Sequence, residues 1–290
     1  MIGVALVERL LERGCEVTGI VRPGSDHCSR LPQHPNLKLI EKDMGELLKL
    51  SEILPRGYDA FYHLAWTNTG ITRDTNTIGQ IENIRMTLEA LELCARIGCG
   101  TFVGAGSQAE FGPKTEGPIG NNSSEEPITA YGICKLAAGK LSILRSQELG
   151  IRCIWPRIFS VFGPNDRESS LLSYVTHCLL EHKIPLLTDG TQTWDYLYSV
   201  DAAKALCLIG EKGQHGKTYC IGSGVGRPLR EYVEIMRTQI QPDAEIGYGK
   251  IGMQRNSVRY LVADTKELFE DTGFKPDYTF EDGVRQMLGK

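Results

Sequence analysis

Tyr131 and Lys135 lie four residues apart in the stretch ITAYGICKLAAGKLSILRSQELG, so a helix there puts both on one face. A phenol at its ordinary pKa of about 10 is a poor base near neutrality. An ammonium beside it favours the phenolate and lowers that pKa, which makes the pair a proton relay. The spacing by itself is better read as two surface residues of a helix, since Y-x-x-x-K occurs often by chance. Ser107 shifts that balance, because it adds a hydroxyl at the end of the strand-like stretch TFVGAG just before that helix.

The elements that must carry these residues follow from periodicity. Val4, Val7, Leu10 and Leu11 recur at helical spacing among Glu8, Arg9, Glu12 and Arg13, and Gly14 stops the run. Strands are expected over 16–24, 36–43, 59–66, 101–106 and 151–159, and helices over 78–97 and 128–149, the latter closed by Gly150. This alternation predicts right-handed βαβ units, a mostly parallel sheet and helices on both faces. Beyond residue 160 the rhythm loosens. Helices are expected near 169–182, 200–211, 227–239 and 265–270, with short strands at 184–188 and 217–221. The division is a main domain over 1–160 and a smaller lobe over 161–290, with segments such as 196–221 partly returning to the main sheet. Ligands of open α/β sheets bind at the carboxyl ends of the strands. Gly3, Arg22, Asp43, Ala65, Trp66, Ser107, Phe159 and Ser160 fall at that edge, with Tyr131 and Lys135 on the helix beside it.

Composition narrows the function classes. The 290 residues carry 32 basic and 36 acidic side chains, for a net charge of -4, with no long run of one sign. A nucleic-acid footprint needs clustered Lys and Arg, and none is present. Nine cysteines are scattered without a C-x-x-C pair, and the six histidines show no ligand spacing. Reduced thiols, a cytoplasmic location and no metal are expected. No apolar run reaches the length of a membrane span, and no signal peptide is legible.

Seven segments, in order, carry a resemblance. They are YDAFYHLAW, Asn83 with Thr87, TFVGAGSQAEFG with EEPITAYGICK, IRCIWPRIFSVFGP, DGTQTWDYLYSVDAAKA, TYCIGSG and DTGFKPDYTFEDGVRQML. Together they resemble the extended short-chain dehydrogenase/reductase family, in its nucleotide-sugar epimerase/dehydratase branch, over essentially the whole chain. The resemblance implies a doubly wound, Rossmann-like α/β sheet that binds NAD(P), with a C-terminal substrate lobe. It implies a nucleotide-sugar substrate oxidised or epimerised by hydride transfer, at C4. Tyr131 would be the general acid/base, Ser107 would steady the sugar oxygen, and Lys135 would hold the nicotinamide ribose and tune Tyr131. His63, Ala65 and Asn83 would line or support the cofactor cleft, and Asp43 would meet the adenine. A packing role for Asn83 and a satisfied core position for His63 remain open. A homodimer through a four-helix bundle, formed by the helices near 78–97 and 130–147, is also implied.

Departures from the family pattern alter the expected chemistry. Family 4,6-dehydratases carry Asp-Glu directly after the catalytic hydroxyl residue, where this chain has Gln108 and Ala109. Dehydration is therefore disfavoured, and Glu110 is expected to point away, as successive strand residues alternate faces. Trp194 stands in place of an arginine that meets the substrate diphosphate, and Ser160 in place of an asparagine. With Gln108, these are the expected substrate contacts, and Arg227 and Arg255 are candidate diphosphate ligands. At the end of the second strand an acid would favour NAD(H) through the ribose diol. Arg22 stands there and suits a 2′-phosphate, so NADP(H) is favoured and NAD(H) stays possible. Epimerase and reductase both remain open. So do a non-catalytic or truncated nucleotide-binding relative and, less favoured, a reductase of non-sugar carbonyls.

The opening MIGVALVERLLERG matches only the last two residues, Ile2-Gly3, of the family's T-G-x-x-G-x-I-G. The first strand and the first two glycines are not in this sequence. A start placed too far downstream is favoured over a natural truncation. Weak dinucleotide binding by this polypeptide is the corresponding expectation, with unpaired backbone on the neighbouring strands.

Overall fold

A computed structural model describes residues 1–253 and 258–289. Its first half runs α1 (Ile2–Glu12), β1 (Val17–Val21), β2 (Leu37–Glu41), β3 (Phe61–His63), α2 (Thr77–Arg96), β4 (Thr101–Gly104), β5 (Gly106–Ser107), α3 (Ala130–Leu149), β6 (Arg152–Ile154), β7 (Arg157–Ile158) and β8 (Ser160–Phe162). The second half runs α4 (Leu171–Leu180), β9 (Thr193–Trp194), β10 (Tyr196–Tyr198), α5 (Ser199–Lys212), β11 (Cys220–Ile221), β12 (Arg227–Pro228), α6 (Leu229–Ile240), β13 (Tyr260–Leu261), α7 (Lys266–Thr272) and α8 (Phe280–Met287). Three 3-10 segments, Asp26–Arg30, Met44–Glu52 and Gln108–Phe111, were not anticipated from periodicity.

The main sheet is parallel, as the βαβ rhythm requires. β3 pairs with β4 and β4 with β6, while β5 pairs with β7 and β7 with β11. These ladders are continuous along the chain. Ala105 N–H donates to His63 O at 3.0 Å and Gly106 N–H to Pro156 O at 2.7 Å, bridging the breaks between β4 and β5 and between β6 and β7. The expected strand over 151–159 is thus interrupted at Trp155-Pro156, because proline has no N–H to give to a ladder. β1 pairs with β2, again in parallel, and β10 with β8. Neither β1 nor β2 is hydrogen-bonded to β3 in the described sheets.

Helices cover both faces. On one, α1 and α5 bury Ala5, Leu6, Ala202 and Leu206 against Val103, Ile154 and Ile221 of the sheet. On the other, α2 and the Met44–Glu52 turn bury Leu50, Leu91 and Cys94 against Phe102 and Cys153. This is the doubly wound arrangement expected of the sequence. A third cluster, around Phe162, Tyr232 and Phe280, joins α4, α6 and α8. There the expected strand 184–188 is reduced to one bridge, Leu186 with Gly247. The buried Asp195 ties the C-terminal segments together, accepting from Ser223 N at 2.8 Å, Gly224 N at 2.9 Å and Ala263 N at 3.1 Å. Among the described residues no helix is long and apolar enough to cross a membrane.

Candidate active site

Ser107 ends β5 with its side chain turned into a reciprocal cap. Its Oγ accepts from Ala109 N at 3.2 Å, and Glu110 Oε1 accepts from Ser107 N at 2.8 Å. This capping box fixes the hydroxyl at the strand end. Helix α3 then brings Tyr131 to it. Thr129 caps the helix by accepting from Gly132 N at 3.1 Å. Gly132 lets the first turn press against the Gln108–Phe111 turn, since a Cβ there would lie 2.4 Å from Ala109 O. The Ser107 hydroxyl lies near enough to the Tyr131 phenol to act on its pKa.

One turn along α3, Lys135 is buried, and its Nζ donates to Ala105 O at 2.6 Å. That leaves two N–H donors of the ammonium without a carbonyl or carboxylate contact. Burial pulls the Lys135 pKa down to about 7, and the nearby Glu110 partly opposes this. The Tyr131 phenol departs from the simple expectation. Burial pushes it above its ordinary value, while the Ser107 hydroxyl and the Arg73 guanidinium act to lower it. The Lys135 ammonium stands 5.9 Å from the Tyr131 ring centre and the Arg73 guanidinium 4.7 Å. Arg73 is therefore the nearer cation, and desolvation outweighs the expected lowering of the phenol pKa. Arg73 also lines, with Asp74, Arg167, Ser169 and Ser170, a polar cavity of about 240 Å³ next to this ring.

The other sequence candidates separate into several roles. Asn83 is fully buried: its Oδ1 accepts from Thr67 N at 2.8 Å and its Nδ2 donates to Gly79 O at 3.1 Å. It anchors the loop after β3 from beneath. His63 is buried against Phe102, with Nε2 at 3.2 Å from Thr87 Oγ1, and burial, then Lys135, pull its pKa down to about 3. It is a neutral supporting side chain. Ala65 is exposed at the end of β3. Arg22 and Asp43 are exposed at the ends of β1 and β2, and Asp43 caps the next turn by accepting from Gly45 N at 2.8 Å. Gly3 is exposed in the first turn of α1, where the N–H groups have no intrahelical partners.

Glu110 does turn away from the substrate side, but not by strand alternation. It sits on a 3-10 turn, fully buried, and its Oε2 accepts from Arg157 Nε at 2.7 Å while Oε1 accepts from Trp155 Nε1 at 3.1 Å. Gln108 is half-buried beside Ser107. Trp194 Nε1 donates to Ser160 Oγ at 2.6 Å, joining the two substrate candidates to each other. Arg227 pairs with Glu281 at 2.6 Å, which occupies part of its charge. Arg255 lies outside the described residues.

The sequence reading placed Trp66 at the strand edge without a role of its own, and did not single out Arg73 or Gln80. Trp66 Nε1 donates to Gln80 Oε1 at 2.7 Å, and its ring lies 3.7 Å from Lys135 Nζ. The only available signal was the aromatic residue directly after HLA in the third strand.

The donor set fits a nicotinamide dinucleotide. The two Lys135 donors without a partner among the described residues suit a ribose diol, the α1 N-terminus suits a pyrophosphate, and Arg22 and Asp43 are exposed at the ends of β1 and β2. An α/β dinucleotide-binding fold with Ser, Tyr and Lys gathered at one strand edge defines a class of oxidoreductases and epimerases.

The chain belongs to the NAD dependent epimerase/dehydratase family, whose pattern matches residues 1–222. It is 27% identical over 269 residues to the GDP-6-deoxy-D-mannose reductase of Pseudomonas aeruginosa, an alignment covering 89% of this chain and 86% of that one. It is 25% identical over 261 residues to an uncharacterized UDP-glucose epimerase of Bacillus subtilis, covering 86% of this chain and 77% of the relative. Its fold matches that of a UDP-N-acetylglucosamine 4-epimerase from Methanobrevibacter ruminantium, solved with UDP-N-acetylmuramic acid. The TM-score is 0.90 at 23% identity, covering 100% of this chain and 94% of that one.

Proposed function

We propose that this protein is an NAD(P)-dependent epimerase or reductase of a nucleotide-activated sugar, acting at C4 through a keto intermediate or product. The observation that carries this reading is the placing of Ser107 at the end of β5 beside the N-terminal turn of α3, which bears Tyr131, with Lys135 buried one helical turn away and bonded to Ala105 O. A bound nicotinamide supplies hydride chemistry at the sugar carbon. As a phenol, Tyr131 would give its proton to the carbonyl oxygen in the reductive direction, which its raised pKa favours, and as phenolate it would take the proton of the hydroxyl on the reacting carbon in the oxidative direction. Ser107 holds the same oxygen through its hydroxyl, fixed in place by the capping box. Lys135 orients the ribose diol with its two spare donors and keeps positive charge near the phenol.

Three further assignments belong to this reading. Residues 1–160 form the cofactor half and 161–290 the substrate half. Arg22, exposed at the end of β1, favours NADP(H) over NAD(H) by pairing with a 2′-phosphate. Elimination of water is disfavoured, because Gln108 and Ala109 are not acids and both oxygens of Glu110 are engaged by Trp155 and Arg157.

The test is a screen of UDP-, dTDP-, GDP- and CDP-sugars with both cofactors. Turnover with at least one sugar nucleotide is expected, with loss of about 100-fold or more in Tyr131→Phe. Activity of that variant within a few-fold of wild type refutes the acid/base role. Binding of NADH as tight as or tighter than that of NADPH refutes the Arg22 assignment. A product that is the stereoisomer of the substrate, without net change in cofactor, marks an epimerase. Stoichiometric cofactor consumption marks a reductase.

A further inference from the structure

The Lys135 ammonium is a buried charge with an unusual set of neighbours. Its Nζ makes one hydrogen bond, to Ala105 O, and the face of Trp66 lies 3.7 Å away. Trp155 is more distant, at 5.9 Å. A cation over an indole face is attracted by the ring quadrupole, most strongly where both are withdrawn from water. The indole is held in this pose. Its Nε1 donates to Gln80 Oε1 at 2.7 Å, and Gln80 is fully buried with its Nε2 bound to Asn68 O at 2.8 Å. Tyr131 meets the same ring edge-on at a centroid distance of 6.0 Å. Trp66 thus touches both members of the Tyr131–Lys135 pair.

The other charged and titratable groups around Lys135 are accounted for. Glu110, on the turn after β5, is tied to Arg157 of β7. His63, at the end of β3, is neutral. Tyr131 is on the same helix, and Arg73, in the loop after β3, lies over the Tyr131 ring. No carboxylate contacts Nζ directly among the described residues.

We infer that Trp66, clamped by Gln80, is the positioning residue that keeps Lys135 charged and aimed at Tyr131, its π face standing in for the absent carboxylate. Its consequence for the reaction rests on the function proposed above; its effect on the lysine does not. Replacing the indole by an aliphatic side chain removes the attraction while keeping the site dry. The ammonium is then disfavoured further, and Lys135 titrates at lower pH.

The test reads Lys135 directly in ligand-free protein by the pH dependence of its 13Cε resonance, assigned by comparison with Lys135→Met. Trp66→Leu is expected to lower the Lys135 midpoint by about one unit or more, and Trp66→Phe by less. Uniform 5-fluorotryptophan keeps the shape and the Gln80 hydrogen bond but weakens the π face. It is expected to lower the midpoint by a few tenths, and to have no such effect in a Trp66→Phe background. An unchanged midpoint with 5-fluorotryptophan and with whichever of the two variants folds overturns the inference. Because neither substrate nor cofactor is present, failure of the proposed activity and failure of this inference are read separately.

Discussion

The indole of Trp194 donates to the Ser160 hydroxyl at 2.6 Å, so two of the residues proposed to meet the substrate are bonded to each other. Ser160 opens β8, and Trp194 closes β9 next to the buried Asp195. The Tyr232 hydroxyl holds the Trp194 carbonyl at 3.0 Å, which fixes the segment that carries the indole. The family resemblance implies an arginine and an asparagine at these positions, and this chain has a neutral donor–acceptor pair there instead.

A double-mutant cycle of Trp194→Phe and Ser160→Ala measures the pair. Coupling of about 1 kcal/mol in urea unfolding is expected, the usual net worth of such a bond. The paired replacement Trp194→Arg with Ser160→Asn restores the family's groups. It is expected to tighten UDP binding about tenfold by calorimetry, through bidentate contact with the diphosphate. Unchanged UDP affinity would place the diphosphate elsewhere.

Glu110 and Arg157 form a buried ion pair that supports Ser107, because the same carboxylate accepts from Ser107 N. Removing Glu110 leaves the buried Arg157 guanidinium with the half-buried Glu125 as its remaining acid partner, and strands the Ser107 N–H. Glu110→Gln is expected to cost about 3 kcal/mol in urea unfolding, with a loss of activity larger than a stability change alone gives below the midpoint. A loss under about 1 kcal/mol would show that the pair contributes little to holding the strand end.

The extent to which this site was legible follows from how local each contact is. Tyr131 and Lys135 were readable because an i, i+4 spacing needs only a helix, and Ser107 because it ends a strand. Arg73 was not, and Trp66 was read only as an edge residue, since their positions over Tyr131 and Lys135 depend on the path of a loop anchored by Asn83 and Gln80 from another helix. The Glu110–Arg157 pair joins residues 47 apart in sequence, beyond any periodicity. In the fold, the 151–159 strand hid its break because its apolar pattern outweighed Pro156. Helix α8 went unread because its eight residues include Gly283, a poor helix former. That glycine packs against Phe162, where a Cβ would approach the ring to 2.6 Å.

Helices α2 and α3 leave Ile78, Ile81, Ile133, Leu141 and Leu144 exposed. An exposed apolar face on two packed helices suits the four-helix dimer that the family resemblance implies. Sedimentation equilibrium is expected to give a dimer, and Ile81→Glu combined with Leu141→Glu a monomer of unchanged fold by circular dichroism. A wild-type monomer at tens of micromolar would refute the assignment.

Burial of Lys135 makes stability pH-dependent with a defined sign. Its pKa falls from an ordinary 10.5 to about 7 on folding. Between those values the unfolded chain binds the extra proton, so stability rises with pH across this window, and below pH 7 the full penalty is present. Lys135→Met removes the penalty but strands the Ala105 carbonyl, which gives back part of the gain. The net expectation is a stabilisation of about 2–4 kcal/mol at pH 6, fading to nothing or reversing by about pH 10. Urea unfolding of both proteins at the two pH values measures it. A difference independent of pH would mean that Lys135 stays protonated throughout, held by the Trp66 face and the Ala105 carbonyl more strongly than its desolvation opposes.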